Sequence, residues 1–253
     1  MREPASPSAW PAGSVRTAVV WDVLSGLLAE QDRDGRGLDV LDVGGGSGVF
    51  AVPLAAAGHR LTVVDPSPDS LAALSRRAAE HGLSQRVVAR QGDVDELPAL
   101  GLGTSFHLVL CHSVLEIVDD PERALSVVAA CLRPGGHLSL LVANRCAAVL
   151  ARALAGRSDE AVRCAADPAG RWGPSDAMRR RFDRAALAEL VAGCGLELVQ
   201  LHGVRVLADL VPASATESEP GAAEAFLQLE RELSGREPFR DLATQLHVLA
   251  RTT

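Results

Sequence analysis

Two carboxylates at the ends of predicted strands are the side chains of this sequence best placed to bind a small polar ligand. Asp65 ends LTVVD and Asp93 ends VVARQGD, while a glycine-rich segment, GGGSG at 44–48, follows an earlier apolar run. Glycine lets a ligand approach the backbone closely, and a carboxylate at a strand end can accept hydrogen bonds from the hydroxyls of a ribose. The pattern predicts a site for a nucleotide-type ligand.

The spacing of the glycines narrows the class of nucleotide. Gly44, Gly46 and Gly48 form G-x-G-x-G rather than the dinucleotide fingerprint G-x-G-x-x-G, and a chain without lysine has no G-x-x-x-x-G-K-[ST] phosphate loop. These residues alone fit either a nicotinamide dinucleotide or an adenosine cofactor without phosphates, whose amine Asp93 could bind. The alternatives are structural: a tight turn for the glycines and helix caps for Asp65 and Asp93.

A parallel sheet would place these residues at one edge. Apolar runs predict strands at residues 38–43, 60–64, 86–90, 106–111 and 137–143, and helical spacing predicts helices at 15–31, 48–57, 71–81 and 121–131. Strands that alternate with helices predict an α/β fold, with a Rossmann-like parallel sheet and helices on both faces. In such a sheet, the segment after the first strand presents a helix N-terminus to the ligand.

The alternation stops after residue 143. We predict a helix at 147–154, an irregular polar segment at 156–174, a helix at 184–192, a strand at 196–207, a polar loop at 211–220, a helix at 222–233 and a final strand at 246–251. Residues 1–14 are predicted to be a disordered arm. Residues 15–253 are predicted to form one domain, within which 145–183 are a helical insertion on the substrate side.

Composition argues against several classes of protein. The net charge of −7 disfavours broad electrostatic binding of nucleic acid, and no apolar run is long enough to span a membrane. The five cysteines are widely spaced, without C-x-x-C or a Cys/His cluster, which disfavours a metal site and fits small buried side chains in a reducing compartment. We therefore expect a cytoplasmic protein that binds no metal.

Four motifs, D-V-G-G-G-S-G, V-V-D, G-D-V and L-R-P-G-G, resemble in order and spacing those of class I S-adenosylmethionine-dependent methyltransferases. Further segments, among them VRTAVVWDVL, CHSVLEIVDDP, SLLVANRCAAVLARALAG and LHGVRVLADL, look like those of the bacterial tRNA 5-carboxymethoxyuridine methyltransferases. That family esterifies the carboxylate of a modified wobble uridine. The resemblance implies S-adenosylmethionine as the cofactor and tRNA as the acceptor.

The motifs and the resemblance together identify the residues expected to bind the cofactor. They are Arg16, Asp42, Gly44, Gly45, Gly46, Gly48, Asp65, Pro66, Asp93, Val94 and His112. The resemblance implies that Asp42 orients the glycine-rich loop or the methionine amino group, and a structural bond to the loop is the alternative. Arg16, on the first predicted helix, could pair with the methionine carboxylate or be a solvated arginine.

A carboxylate acceptor is already anionic, so its methylation requires correct placement and a cation that orients one oxygen, not a strong base. Arg205 is the predicted cation and Asn144 the predicted polar orienting group. For an alcohol or phenol acceptor a base would help, and His112 and His247 are the candidates. The structural alternatives are an ion pair for Arg205, a turn residue for Asn144 and a backbone-bonded histidine for His112.

The chain departs from the family pattern on the acceptor side. Only residues 179–181 form a basic cluster where the family has a lysine-rich segment, and Ala143, Ala208 and Leu210 replace an aromatic residue, a histidine and a tyrosine. These changes remove stacking surfaces for an extruded base. Three alternatives stay open: methylation of a small metabolite or natural product, a nicotinamide-dependent oxidoreductase, and a cofactor-binding scaffold without turnover.

Overall fold

Seven strands form one sheet in the computed structural model, which describes residues 15–212, 214 and 219–252. The predicted arm at 1–14 and part of the predicted loop at 211–220 lie outside the described residues. The strands are β1 (Asp39–Val43), β2 (Arg60–Asp65), β3 (Val87–Gln91), β4 (Phe106–His112), β5 (Leu132–Ala143), β6 (Leu196–Val204) and β7 (Gln245–Thr252). Their order is β3-β2-β1-β4-β5-β7-β6.

The first five strands pair in parallel, and β7 runs antiparallel to both β5 and β6. The carboxyl ends of β1, β2, β4 and β5 therefore meet at one edge of the sheet, where a ligand of such a fold binds. The predicted parallel arrangement is confirmed for these strands, whereas the antiparallel direction of β7 was not predicted.

The helices pack on both faces of the sheet. They are α1 (Ala18–Gln31), α2 (Ala51–Ala56), α3 (Pro68–Glu80), α4 (Pro121–Ala129), α5 (Arg145–Leu154), α6 (Ser158–Ala166), α7 (Arg184–Gly193), α8 (Ala222–Ser234) and α9 (Phe239–Leu242), with a 3-10 helix at Val94–Leu100. Leu24 of α1 belongs to one core and Leu125 of α4 to the other. Burial of each of these leucines contributes roughly 2 kcal/mol. The predicted α/β class is confirmed.

Local capping explains where α3 and α4 begin. The Ser67 hydroxyl accepts a hydrogen bond from Ser70 N at 3.2 Å and Pro68 occupies the first turn, so α3 begins before the predicted residue 71. Asp120 caps α4 in the same way, with Arg123 N donating at 2.9 Å, and the predicted start at Pro121 is observed. A polar residue followed by proline thus sets the start of both helices.

The structure corrects three predicted elements. Residues 158–166 of the segment predicted to be irregular form α6, with acidic residues in its first turn and Arg163 in its last. The first helix begins at Ala18, so Arg16 lies in the turn before it. β5 begins already at Leu132, because an irregularity in the β4–β5 pairing accommodates the proline and glycines of the predicted turn.

The insertion after β5 leaves and rejoins the sheet at one point. Arg145 N donates to Phe182 O at 2.8 Å and Phe182 N donates to Ala143 O at 2.9 Å, so Asn144 and Phe182 form a parallel bridge. α5, α6 and the following loop lie between these two positions. The segment predicted to be a helical insertion therefore begins and ends side by side, at the end of β5.

Candidate cofactor and acceptor sites

The glycine-rich loop connects β1 to α2 and is held to β2. Gly44 N donates to Val64 O at 2.8 Å, and Gly48 N donates to Gly45 O at 2.9 Å. Arg77 of α3 donates to Ser47 O at 2.8 Å. These bonds use several backbone groups of the loop within the protein and fix its path above the carboxyl end of β1.

Packing of the protein itself explains two of the loop glycines. A Cβ at Gly44 would lie 2.5 Å from Val114 Cγ2, and a Cβ at Gly48 would overlap the Leu74 side chain. Both glycines have positive φ angles, 71° and 81°, which L side chains rarely adopt. These two positions need glycine even without a ligand.

The other two glycines differ from each other in what they face. A Cβ at Gly45 would lie 2.5 Å from Asp42 Cγ, so this glycine makes room for the buried carboxyl. Among the described residues, a Cβ at Gly46 would have a single neighbour within 4 Å, Asp65 Oδ2 at 3.9 Å. Gly46 is thus the loop residue whose backbone can be approached by a ligand, next to the carboxylate at the end of β2.

Asp65 joins the end of β2 to the glycine-rich loop. Its Oδ2 accepts a hydrogen bond from Gly46 N at 2.9 Å and its Oδ1 accepts one from Ser67 N at 2.9 Å. Each carboxylate oxygen has two lone pairs, so both can accept a further bond. The cap of α3 is Ser67 and not Asp65, which leaves Asp65 suited to ribose hydroxyls. Pro66, which follows, is exposed.

Asp42 is a buried carboxyl beneath the loop, only 3% exposed. Its Oδ2 has no hydrogen-bond partner among the described residues. Burial, together with the nearby Asp65 carboxylate, raises the pKa of Asp42 to about 7. A buried acceptor oxygen without a donor suits a cationic N–H group, such as the amino group of an amino acid moiety.

Asp93 caps the 3-10 helix that follows β3. Its Oδ1 accepts a hydrogen bond from Val94 N at 2.6 Å, and Glu96 Oε2 accepts one from Asp93 N at 2.9 Å, a reciprocal capping box. The capping alternative is therefore observed. Because the Asp93 side chain is exposed and capping uses one oxygen, it retains capacity to accept from an amine. Val94 itself is buried.

His112, at the carboxyl end of β4, belongs to a polar chain across the sheet. Its Nε2 lies 2.8 Å from Ser139 Oγ, and Ser139 Oγ lies 2.8 Å from His247 Nε2. Burial lowers the pKa of His112 to about 3 and lowers that of His247 well below its usual value. A lowered pKa disfavours the role of general base, which stays a prediction for an alcohol or phenol acceptor.

The first helix contacts the site through an aromatic stack. Trp21 is buried and its ring centroid lies 4.9 Å from that of Phe50, which in turn meets His112 edge-on at 4.7 Å. α1 is thus packed against Phe50, the second residue after the glycine-rich loop. The Arg16 side chain is exposed just ahead of this contact; its pairing with a ligand carboxylate stays a prediction.

A cavity of about 230 Å³ lies at the carboxyl end of β5, on the acceptor side. Its lining is mostly aliphatic. It is formed by α5 and later residues of the insertion, the loop after β6, and residues just before β7. The lining residues are Ala143, Asn144, Ala147, Ala148, Leu150, Ala151, Arg152, Trp172, Met178, Arg181, Val206, Asp209, Leu210, Leu242 and Thr244. The size suits a small organic group rather than a whole nucleotide.

Asn144 lines this cavity, but its side chain is used by the backbone around it. Oδ1 accepts from Cys146 N at 3.0 Å and caps α5, while Nδ2 donates to Asp241 O at 2.9 Å and Ala243 O at 2.7 Å. Both amide hydrogens are therefore committed. The structure therefore supports the structural alternative for Asn144, because its amide group is used within the protein.

Arg205 follows β6 in a left-handed backbone conformation, with φ 59°. The fully buried Glu230 holds this turn, because its carboxylate accepts from Val206 N and Leu207 N at 2.7 Å each. Arg205 Nη2 lies 3.5 Å from Asp209 Oδ2, and its buried Nε has no hydrogen-bond partner among the described residues. Arg205 is thus a constrained guanidinium with an unused buried donor, and its neighbours Val206 and Asp209, rather than Arg205 itself, line the cavity.

The neighbouring arginines of the insertion are already paired. Arg152 bonds to Glu160 at 3.1 Å, and Arg181 makes two bonds to Asp176 at 2.7 and 3.0 Å. Both guanidinium groups also lie over the Trp172 ring, 3.9 Å from its centroid. These arginines stabilise the insertion and leave Arg205 as the better candidate for binding an anion.

Two functional candidates escaped sequence analysis. Ser139 is a hydroxyl within the apolar run of β5, and that polar interruption was a usable signal. Glu230 lies among apolar residues of α8 and is completely buried, but its partners are distant in the sequence. Within the described ranges, no helix has the length and apolar character needed to cross a membrane, and no cluster of His, Cys, Asp or Glu side chains there could hold a metal ion.

Comparison with known proteins bears on both sites. A family model described as a methyltransferase domain matches residues 17–201. The tRNA 5-carboxymethoxyuridine methyltransferase of Escherichia coli (strain K12) is 30% identical over 239 residues, which cover 94% of this chain and 88% of that protein. A ubiquinone biosynthesis O-methyltransferase of Caulobacter vibrioides is 36% identical over 135 residues, covering 51% of this chain and 52% of that protein.

A solved methyltransferase structure is similar to this chain in its fold. Magnesium protoporphyrin IX methyltransferase from Synechocystis PCC 6803, with bound SAH, has a TM-score of 0.59 at 15% sequence identity, over 94% of this chain and 86% of that one. The domain match extends from α1 to β6 and so includes the glycine-rich loop and Asp65. The chain therefore belongs to the class I S-adenosylmethionine-dependent methyltransferases, and its cofactor is S-adenosylmethionine.

Proposed function

We propose that this methyltransferase methylates a carboxylate oxygen of an acceptor bound beside Arg205. The observation that carries the proposal is the buried Arg205 Nε, which has no hydrogen-bond partner among the described residues. A buried N–H without an acceptor is costly, by about 1–3 kcal/mol. An acceptor carboxylate would satisfy it, and the constrained turn held by Glu230 fixes the direction from which the guanidinium acts.

The cofactor side of the proposal uses residues at the carboxyl ends of β1 to β4. Asp65 would accept from the ribose hydroxyls, Gly46 would allow close approach, and Asp42 would face the amino group. Asp93 and Val94 would lie at the adenine, with Arg16 and His112 completing the site. The bound cofactor supplies a methyl group activated by a positively charged sulfur, so the protein's part is to place the acceptor oxygen in line with it.

The acidity of His112 favours a carboxylate over a hydroxyl acceptor. A phenol has a pKa of about 10, whereas the pKa of His112 is lowered to about 3. Transfer of a proton from such an acceptor to His112 is therefore strongly unfavourable. A carboxylate, in contrast, is ionised at neutral pH and needs no base.

The first candidate acceptor is the 5-carboxymethoxy group of a wobble uridine in tRNA. The support is the Escherichia coli relative, whose similarity covers 94% of this chain and therefore includes the acceptor side. The uridine substituent carries the required carboxylate. Its small size matches the cavity beside Arg205, with the rest of the nucleic acid outside.

The second candidate is a small-molecule carboxylate. Trp172 is already stacked by the guanidinium groups of Arg152 and Arg181, so it is a poor platform for an extruded base. The cavity wall also carries Leu210 and aliphatic residues of α5. A compact apolar acid would fill this space without needing a nucleic-acid surface.

The test is to incubate the purified chain with methyl-labelled cofactor and either bulk tRNA or a panel of small carboxylic acids. Expected is label that mild alkali releases as methanol, because esters hydrolyse under conditions that leave methyl ethers intact. Alkali-stable label would overturn the carboxylate assignment. Label in the tRNA nucleoside supports the first candidate, and label only in a small acid supports the second. Cofactor binding without transfer to any acceptor would favour a scaffold.

A further inference from the structure

A buried chain of three polar side chains crosses the middle of the sheet. His112 on β4, Ser139 on β5 and His247 on β7 are joined by two hydrogen bonds of 2.8 Å through the Ser139 hydroxyl. Ser139 and His247 are completely buried. Because one end of the chain is His112, at the carboxyl edge of the sheet, the chain links the ligand edge to the interior.

The number of protons available for the two hydrogen bonds links the tautomer of His112 to that of His247. A neutral imidazole carries one N–H, and a serine hydroxyl has one proton to donate. Ser139 can therefore donate to one ring and accept from the other only if one ring carries its proton on Nε2 and the other on Nδ1. The opposite case, with both rings donating to Ser139, would leave a buried hydroxyl proton without an acceptor, which is unfavourable.

The surroundings keep both rings neutral. Burial lowers the pKa of each ring, and the Trp21–Phe50 pair packs against the His112 side of the chain. The Nδ1 atoms of His112 and His247 are both buried without a partner among the described residues. A charged ring at either end would therefore be uncompensated.

A third histidine, His202, lies on β6 beyond the His247 end of the chain. His202 lies directly opposite His247 in the β6–β7 pairing, and its Nε2 lies 3.2 Å from Gln200 Oε1. An oxygen acceptor there requires a proton on His202 Nε2, which leaves its Nδ1 bare in the neutral ring. His202 Nδ1 and His247 Nδ1 are both without a hydrogen-bond partner among the described residues, so no bond between these two rings fixes the tautomer of His247.

We propose that Ser139 and His247 are positioning residues that hold His112 in one neutral tautomer. In this tautomer His112 Nε2–H donates to Ser139, Ser139 O–H donates to His247, and His112 Nδ1 presents a bare lone pair near the positively charged cofactor. A lone pair is favoured there over an N–H, because the negative end of the ring dipole then faces the positive charge. The inference rests on the proposed cofactor role of His112.

Nitrogen-15 NMR of the histidine rings in the unmodified protein tests this without methyl transfer. The sequence has 7 histidines, and the spectra of His112→Gln and His247→Gln assign the two signals. Expected is the Nε2–H tautomer for His112 and the Nδ1–H tautomer for His247, both unchanged between about pH 6 and about pH 8. The same tautomer on both rings, or a charged ring, would overturn the proposal.

Ser139→Ala tests the consequence for binding. Expected is a mixture of tautomers at His112 and roughly tenfold weaker binding of S-adenosylmethionine, measured without an acceptor, the value of one hydrogen bond. Ser139→Thr, which keeps the hydroxyl, should restore both readouts. Ser25→Ala is the matched control, since its hydroxyl bonds only within α1, to Trp21 O at 2.6 Å. Unchanged tautomers in Ser139→Ala would refute the positioning role, while the ester test above decides the proposed function separately.

Discussion

Asp65 Oδ2 accepts a hydrogen bond from Gly46 N at 2.9 Å, so the carboxylate at the end of β2 is physically joined to the one loop glycine that faces open space. The two most informative sequence motifs are therefore parts of a single unit. A change at either residue therefore alters the bond that joins them.

Replacing Asp65 with asparagine should weaken binding of S-adenosylhomocysteine. The amide accepts through one oxygen only, so at least one charge-assisted bond to a ribose hydroxyl is lost, worth about 2 kcal/mol or roughly thirtyfold in affinity. Titration calorimetry measures the change. Asp69→Asn is a matched control, because Asp69 is an exposed residue in the first turn of α3. Equal affinity of the two variants would remove Asp65 from the cofactor site.

The stability of the ligand-free protein should fall as the pH rises, because of Asp42. The pKa of Asp42 is raised from 3.8 to about 7 by burial and by Asp65, so its contribution to stability is complete below about pH 4 and is lost as the pH rises through about 7. Relative to Asp42→Asn, the wild type should lose about 3 kcal/mol of unfolding free energy between about pH 5 and about pH 8. Urea unfolding of both proteins checks this.

If the Asp42 carboxyl faces the amino group of the cofactor, cofactor binding should lower the pKa of Asp42 again. A positive charge beside the carboxyl lowers its pKa, so binding at about pH 6 should release up to about one proton, and binding at about pH 8 close to none. Calorimetry in buffers of different ionisation enthalpy counts the protons. The same count in Asp42→Asn as in wild type would show that another group is responsible.

Replacing Gly48 with alanine should lower mainly the stability of the protein, whereas replacing Gly46 should lower mainly its affinity for the cofactor. Gly48→Ala places a Cβ into Leu74 and Gly46→Ala places one into open space near Asp65. Both have positive φ, a cost of about 1–2 kcal/mol each. We expect Gly48→Ala to lose a further 1–3 kcal/mol of stability, about the cost of overpacking, and Gly46→Ala to lose affinity for the cofactor instead. Equal stability of the two variants would contradict this assignment.

Removing the Arg205 guanidinium should impair use of the acceptor while sparing the cofactor. In Arg205→Ala we expect kcat/KM for the acceptor to fall by roughly a hundredfold, about the value of one charged hydrogen-bond pair, with S-adenosylhomocysteine affinity unchanged. Arg205→Lys should recover little of the lost kcat/KM, because a lysine ammonium cannot offer the two parallel N–H donors of a guanidinium. Arg236→Ala, at an exposed arginine paired with Glu232, is the control. Loss of cofactor affinity in Arg205→Ala would instead assign Arg205 to the cofactor site.

Local patterns predicted most of the cofactor half of the molecule. The glycine-rich loop and Asp65 were identifiable because strand, turn and helix follow each other within about thirty residues, as in any βαβ unit. α4 was placed correctly because Asp120 and Pro121 mark its start in the sequence itself. α6 was missed because its buried residues, Ala161 and Cys164, are small, so no large apolar side chain marks its buried face.

The acceptor half depends on contacts between distant residues. Asn144 was selected for chemistry, yet the carbonyls that bind its amide belong to Asp241 and Ala243, almost a hundred residues further along. The partnership of Ser139 with His247 likewise exists only because β7 inserts beside β5. Neither the strand order nor the direction of β7 leaves a local signal in the sequence, so these roles could not be assigned from it.

The position of β7 between β5 and β6 has a consequence for synthesis on the ribosome. β6 lies at the edge of the sheet and pairs with β7, so residues 196–204 are translated well before their neighbouring strand exists. The strands β1 to β5, which carry the glycine-rich loop and Asp65, can associate while the rest of the chain is still being made. The backbone that precedes Arg205 gains its neighbouring strand only when β7 pairs with β6, so the part of the molecule proposed to bind the acceptor is completed last.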